Sequence, residues 1–445
     1  MGGLCGSVQL SMNFLQSSVE TDRQTSPVGG RRVPQITSQA PCLDLQQDAR
    51  EKPMLRARRV HNSPASLAVD AGSAVPTISR HGLQAPATGN DIRVRGRHCP
   101  HGPGLVEWAV QPMAPWRRID PYGFERPEDF DYAAYEEFFS TYLVILTRRA
   151  IKWSKLLKGG GGVQRSMTVK RYIRKGVPLE HRARVWMGVS GAQAQMDRNP
   201  GYYQRLLQGE RSASLEEAIR TDMSRTFPDN VRFRKDAEPC LQGPLYNVLL
   251  AYGHHNHGVG YCQGMNFIAG YLILVTKSEE EAFWLLDALV GRILPADYYS
   301  PSMLGLKTDQ EVLGELVRLK LPAVAALMDG HGVLWTLVAS RWFICLFVDV
   351  LPVETVLRVW DCLFSEGSKI LFRVALTLLK HHQASILEAT SIPDLCEKFK
   401  EITRGHFVTE CHSFMQRIFS EPGSLSRASI ARLRERCRAR LLAQG

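Results

Sequence analysis

Apolar residues recur at helical spacing along most of the chain beyond residue 130. Tyr135, Phe138, Tyr142 and Leu146 lie three or four positions apart, which places their side chains on one face of an α-helix. The apolar run from Met265 to Val275 is too short to span a bilayer, and it predicts a buried core helix. Because no strand-like alternation of useful length appears, the sequence predicts an all-α, multi-helix fold.

Capping and helix-breaking residues set the expected helix boundaries. Ser214, Ser278 and Thr308 each precede a glutamate by three positions, the capping-box spacing in which two free backbone donors at a helix start are satisfied. Further boundaries are marked by prolines suited to first turns and by glycines suited to helix ends: Pro178, Pro322, Pro352 and Pro393, and Gly176, Gly330 and Gly367. The signals predict about a dozen or more helices.

Composition divides the chain into four parts. Residues 1–115 are rich in Ser, Pro, Gly, Gln and Arg without a hydrophobic period, which predicts a disordered basic tail. Residues 116–162 are expected to form an N-terminal helical lead and a Gly-rich linker. The main helical domain is expected at 163–420. Residues 421–445 predict a basic C-terminal helix or tail, whose arginines fit a solvated face better than contact with an anionic membrane.

The positive charge lies mainly on the flanks. The net charge is +11, with twelve basic and eight acidic residues in 1–110 and six basic and two acidic residues in 421–445. A nucleic-acid-binding protein would more often concentrate this charge on its folded part, so we expect no nucleic-acid partner. The ten cysteines form no C-x-x-C pair, which indicates reduced thiols. No secretory leader is evident, and we expect a cytoplasmic protein, with peripheral contact to vesicle membranes left open.

The first segment that departs from a plain helical core runs from Ser214 to Pro228. Leu215, Ala218 and Ile219 form an apolar face, and Asp222 falls in the middle of it. A buried carboxylate is costly unless it is paired, and Arg225 lies three residues further on. Pro228 disfavours helix at the residue before it, so Arg225 is expected at a helix end. An ordinary ion pair that fixes a helix terminus would explain this segment alone.

The second segment is His257–Asn266, in which glycines surround Tyr261, Cys262 and Gln263. Glycines let the backbone approach a ligand, and the start of the helix that follows offers free N–H groups. The spacing does not match a dinucleotide-binding loop. A plain turn between two buried helices would also explain this segment on its own.

Taken in order, these motifs resemble those of TBC-domain Rab GTPase activators. The resembling elements are Arg182 to Trp186; Ile219, Asp222 and Arg225; and Tyr261, Gln263, Gly264 and Met265. SRWFICLF at 340–347 and VLRVWDCLFSEG at 356–367 add to the likeness, which covers about 167–400. The resemblance implies a TBC domain at 163–420 that acts on a GTP-bound Rab-family small GTPase.

The resemblance also implies a mechanism and a set of site residues. Arg225 would be an arginine finger and Gln263 a glutamine finger that orients the attacking water, and catalysis would rest on positioning and electrostatics. Asp222 and Arg182 are expected to brace the finger, and Trp186 and Tyr261 to pack and shape the pocket. Gly264 is expected to be a further supporting residue of the site. The chain would then be an activator and not itself an enzyme, with GTP and Mg²⁺ carried by the partner and no cofactor or metal of its own.

Several competing interpretations stand beside this one. His254, His255 and His257 lie near Cys262, but their spacing matches no common zinc site. A Cys262 nucleophile paired with one of those histidines rests on proximity in sequence alone. From a different class, the chain could be a catalytically silent Rab-binding scaffold in membrane trafficking, although such proteins typically lack the finger residues. An adaptor acting through its basic tails would show steep salt dependence.

Overall fold

The fold is described here from a computed structural model that covers residues 118–128, 130–158, 162–209 and 212–444. Within these ranges the secondary structure is helical apart from two isolated β-bridges, which confirms the all-α prediction. The predicted tail at 1–115 and most of the Gly159–Gly162 linker lie outside the described residues.

The described ranges contain nineteen α-helices, numbered α1 to α19 in chain order. The first nine are Tyr132–Leu157, Met167–Lys175, Leu179–Ser190, Ala192–Arg198, Tyr202–Gln208, Ala213–Met223, Gln242–His255, Met265–Thr276 and Glu279–Asp287, the last continuing as a π-helical turn at Ala288–Ile293. The remaining ten are Leu304–Lys320, Pro322–Gly330, Trp335–Ile344, Val353–Glu366, Lys369–His381, Gln383–Leu387, Ile392–Glu401, His406–Thr409, Cys411–Ser420 and Arg427–Gln444.

Three helices form the centre of the hydrophobic core: α8, α13 and α14. The uncharged helix α8 is buried along almost its whole length, as its composition predicted. Helices α13 and α14 are likewise buried over most of their residues, and they pack against each other. Because α8 is fixed by burial on nearly every side, the loop that leads into it has a rigid base.

The capping residues were only partly predicted. Ser278 accepts the Glu281 N–H at 3.4 Å and begins α9 as expected. The two other capping-box predictions are wrong. Helix α6 is capped two residues earlier than predicted, by Ser212, which accepts the Leu215 N–H. Thr308 lies inside α10, where its hydroxyl donates to the Leu304 carbonyl. A Ser/Thr-x-x-Glu spacing is compatible with helix interiors, so it does not mark a helix start by itself.

The basic C-terminal helix α19 packs against α10 and is part of the folded unit, with Ile430 and Cys437 buried. Four of its arginines form ion pairs with carboxylates elsewhere in the fold: Arg434 with Asp309, Arg436 and Arg440 with Glu315, and Arg438 with Asp297. The Arg434 pair is bidentate, at 2.6 and 2.7 Å, and it neutralises a carboxylate that is fully buried. The solvated arginine face expected for this segment is therefore largely a set of ion pairs.

Among the described residues, no single helix has the length and apolar composition needed to cross a bilayer. Helices α11 and α12 meet that test only as a pair, and the chain bends by 119° between them.

Candidate functional site

Arg225 lies in a short turn, residues 224–227, which we call the arginine loop. Helix α6 ends at Met223, as expected from the proline that follows, and the loop ends at Phe227, whose φ of 52° is in the left-handed region. The Arg225 side chain is 47% exposed, whereas Asp222 on the last turn of α6 is 3% exposed. The loop thus presents a cation to solvent next to a buried carboxylate.

The Asp222 carboxylate connects the arginine loop to the segment that carries Gln263. One carboxylate oxygen accepts hydrogen bonds from Arg225, with Nε at 2.7 Å, and the other accepts the Tyr261 hydroxyl. Burial and the Asp222 carboxylate raise the pKa of Tyr261, so this hydroxyl stays protonated and donates. Tyr261, expected only to shape the pocket, is therefore also a polar anchor for Asp222.

Gln263 lies in the segment between α7 and α8, residues 256–264, which we call the glutamine loop. Asn256 closes the start of this loop by accepting the Gly260 N–H on its backbone carbonyl at 2.7 Å. Gly264 ends it with a φ of 107°, a conformation that favours glycine, and a Cβ there would also make a tight contact of 3.2 Å with the Ile344 side chain. Gln263 itself is half-buried, and its carboxamide has no hydrogen-bond partner in the described part of the chain.

A second connection between the two loops runs through Thr226 and Asn266, and both side chains are fully buried. Thr226 Oγ1 donates to the Asp222 carbonyl at 2.6 Å and accepts from Asn266 Nδ2 at 2.8 Å. Asn266 Oδ1 in turn accepts the Gly264 N–H at 3.0 Å. The two residues thus join the end of α6 to the start of α8. Sequence reasoning assigned them no role, since a buried amide and hydroxyl carry no pattern that names their partners.

A third connection is the ring of Phe227, which is buried against α8. It contacts the rings of Phe267 and Tyr271 with centroids 5.4 Å away, and a Cβ at Gly270 would lie 2.6 Å from its Cε2 atom. Gly270 therefore leaves the space into which Phe227 packs. This packing holds the left-handed conformation at the end of the arginine loop.

Replacing Asn266 with leucine should uncouple the two loops. The substitution keeps the side-chain shape but leaves the buried Gly264 N–H without an acceptor, which we expect to lower the free energy of unfolding by about 1–3 kcal/mol. Urea unfolding followed by circular dichroism measures this change, and amide exchange at Gly264 should become faster. Asn199→Leu is the matched control, because among the described residues the Asn199 side chain bonds only to the nearby Gln195 carbonyl. Equal losses in the two variants would contradict the special position of Asn266.

Arg182 and Trp186 belong to a different network, centred on α13. The buried Arg182 guanidinium donates to Glu354 at 2.8 Å, to Asp361 at 3.2 Å and to the Tyr122 hydroxyl at 2.7 Å. Trp186 Nε1 donates to the same Asp361 at 2.8 Å. The direct brace expected of Arg182 on Arg225 is therefore absent, because the Arg182 donors are used by carboxylates on α13. Arg182 and Trp186 instead fasten α3 to the core.

The histidines near Cys262 do not form a metal site. His255 makes hydrogen bonds to the Tyr202 hydroxyl at 3.0 Å and to Asp287 at 3.2 Å. Over the described residues, no group of three or more His, Cys, Asp or Glu side chains is arranged to hold a metal ion.

The comparisons with known proteins agree with this fold and these motifs. Residues 179–387 match the Rab-GTPase-TBC domain, and the chain belongs to this RabGAP-TBC family. Within the family it is similar to the growth hormone-regulated TBC protein 1 of Homo sapiens, with 81% identity over 328 residues that span 74% of this chain and 97% of that protein. The Mus musculus protein of the same name is 78% identical over 344 residues, 74% of this chain and 96% of its own.

A solved structure is similar in fold as well. The crystal structure of the Chlamydomonas flagellar RabGAP TBC domain aligns with a TM-score of 0.59 and 32% identity, and it covers 68% of this chain and 100% of that one. The resemblance to TBC domains expected from the motifs is thereby confirmed.

Proposed function

We propose that the chain stimulates GTP hydrolysis by a Rab-family GTPase in its GTP-bound state, supplying Arg225 and Gln263 in trans. The observation that supports this most strongly is the arrangement of the two loops. The exposed Arg225 and the half-buried Gln263 stand on loops that Asp222 and Tyr261 join directly. Two side chains that act on one phosphate must be held at a fixed separation, and this bridge provides such a constraint.

Arg225 is chemically suited to the proposed role. In phosphoryl transfer, negative charge spreads over the oxygens of the transferred group, and a planar guanidinium donates several hydrogen bonds to them while remaining charged. In the free protein its donors are partly used by Asp222, and the side chain is exposed enough to turn toward a partner. The nucleotide and its Mg²⁺ belong to the partner in this proposal, so the chain acts as an activator of another enzyme.

Gln263 is suited to orient a water molecule. A carboxamide offers a donor and an acceptor together, and within the described residues neither is engaged by the fold. Gly264 and Asn266 hold the backbone immediately after it, so the side chain projects from a fixed base. We assign Gln263 to positioning the attacking water and Arg225 to stabilising the phosphoryl charge.

The test is phosphate release from a panel of GTP-loaded Rab proteins. One or more should be accelerated by the wild-type protein, and Gln263→Ala should lower that acceleration on the order of 10²-fold, because a positioned polar group in the site is lost. Gln193→Ala is the matched control, since Gln193 is half-buried like Gln263, and among the described residues its carboxamide bonds to Asp197 on its own helix.

Two outcomes would contradict the proposal in different ways. An accelerated Rab that responds equally to wild type and Gln263→Ala would remove the glutamine from the mechanism. Nucleotide-dependent binding of a Rab without faster hydrolysis would instead identify a Rab-binding scaffold.

A further inference from the structure

A cavity of about 370 Å³ is lined by residues from the end of α13, the start of α14, the π-helical turn and α19. Its charged lining consists of Arg165, Arg292, Lys369, Arg427, Arg434 and Glu366. We call it the basic cavity. Its volume falls within the range of about 300–1,000 Å³ that is typical of small-molecule sites.

Positive charge in this cavity exceeds the negative charge available to neutralise it. Glu366, the single carboxylate in the lining, already pairs with Arg174 at 2.6 Å, Lys369 at 3.0 Å and Lys170 at 3.4 Å. Burial raises the pKa of Glu366, but Arg174 and Lys369 outweigh it and hold that pKa down to about 2. Glu366 therefore neutralises none of the four arginines in the lining. Arg434 pairs instead with Asp309 and Arg292 with Asp287 at 3.5 Å, which leaves Arg165 and Arg427 without a carboxylate partner in the described chain.

Two arginines of the lining bond to the backbone alone. In the described chain, Arg165 donates to the carbonyls of Val189 at 2.6 Å and Phe364 at 3.4 Å. Arg427 donates to the Glu366 carbonyl at 3.0 Å. Burial lowers the pKa of Arg165, and the nearby charges of Arg427 and Arg292 lower it further. Like charges thus face each other across the basic cavity.

The contrast within α19 makes Arg427 unusual. The four arginines further along the helix, at 434, 436, 438 and 440, each form an ion pair with a carboxylate. Arg427 instead lines the cavity, with its guanidinium next to Gly367. The fold thus neutralises four of the six arginines of this helix, and Arg432 is exposed on its surface, whereas Arg427 is directed at an open space.

The start of α14 adds backbone donors to the same space. Gly367, Ser368 and Lys369 line the cavity, and Ser368 makes no side-chain cap for this helix of thirteen residues. The Ile370 and Leu371 N–H groups bond to the Gly367 and Ser368 carbonyls at 3.1 and 3.0 Å, so the N–H groups of Ser368 and Lys369 are the donors left to favour a negative group at this helix start. No acidic residue occupies the first turn of α14.

We propose that the basic cavity binds a phosphate-bearing ligand. Arg165, Arg292 and Arg427 would contact its phosphate oxygens, and the N-terminus of α14 would donate backbone hydrogen bonds to them. Such a group could be carried by a free phosphate compound or by a phosphorylated lipid headgroup. The site is separate from the arginine and glutamine loops and does not depend on the activity proposed for them.

Binding is tested with the full chain and two probes. Binding of inorganic pyrophosphate is measured by titration calorimetry. Binding to phosphatidylcholine vesicles that contain a phosphatidylinositol phosphate is measured by flotation. Wild type should bind at least one of the two probes. Arg427→Gln and Arg292→Gln should each weaken binding about tenfold, since each loses a charged hydrogen bond. Arg432→Gln is the matched control, because it removes the same charge from α19. Arg432 is exposed and does not line the cavity.

The probes also separate the two ligand sources. Binding of pyrophosphate without vesicle binding assigns a free phosphate compound, whereas vesicle binding that exceeds that of charge-matched phosphatidylserine assigns a lipid headgroup. Binding of neither probe, or an equal loss in Arg432→Gln, would overturn the proposal. Stimulated GTP hydrolysis in solution should remain unchanged in Arg427→Gln, so failure here is distinct from failure of the activator function.

Discussion

Replacing Arg225 with alanine should lower the stimulated rate of GTP hydrolysis by roughly 10³-fold or more, the usual contribution of an arginine supplied to a GTPase by its activator. The loss should appear in the rate and leave the fold nearly intact, because the side chain is 47% exposed and Asp222 keeps the Tyr261 hydroxyl as a donor. Arg225→Lys should recover little of the rate, since an ammonium keeps the charge but loses the planar fork. Single-turnover phosphate release at saturating activator measures both variants.

The chain offers a close control for this experiment. Arg220 lies on α6, the helix that leads into the arginine loop, is 54% exposed and pairs with Glu216, so Arg220→Ala removes an equivalent charge five residues away. It should retain nearly the full rate. A comparable loss in Arg220→Ala and Arg225→Ala would show that the rate depends on surface charge and not on a specific finger.

Replacing Trp186 with alanine should reduce the free energy of unfolding by roughly 3–5 kcal/mol. The indole is fully buried, its ring lies 4.9 Å from that of Phe364, and its N–H donates to Asp361. Removing it leaves a cavity and deprives a buried carboxylate of a hydrogen bond. Arg182→Met should cost a similar amount, because it leaves Asp361 and Glu354 without their shared cation.

Chemical denaturation followed by circular dichroism measures these losses. Leu334→Ala is the control for Trp186→Ala, because Leu334 is 67% exposed and its truncation should change stability little. Any Trp186→Ala protein that remains folded should retain its activity per folded molecule. An unchanged unfolding midpoint would contradict the packing role of Trp186.

The sequence predicted the contacts that are local in the chain. Asp222 stands out as a carboxylate on an apolar face, and Arg225 is close enough in sequence to be its partner, so their pairing followed from helical spacing. Gly264 likewise showed its role, because glycines mark positions where the backbone needs unusual freedom.

The contacts between distant segments could not be read in this way. The resemblance to TBC domains led us to expect that Arg182 braces the Arg225 finger. Its partners are instead Glu354 and Asp361, which lie more than 170 positions further on in the chain. Tertiary packing chose those partners, and nothing in the local pattern around Arg182 names them. The arginines of α19 illustrate the same limit, because their composition fits a solvated helix equally well until the carboxylates of other helices are placed.

The pairing of Arg225 with Asp222 has a consequence for which anions can engage the arginine. A free phosphate or a stray nucleotide that meets this side chain must replace a charged hydrogen bond from a buried carboxylate that Tyr261 also holds in place. Charge alone gives little advantage in that exchange, because the guanidinium is already partly neutralised. An anion presented by a docked protein has the additional contact energy of that protein to draw the arginine away. Free anions therefore compete poorly for Arg225 until a partner protein with a complementary surface has bound.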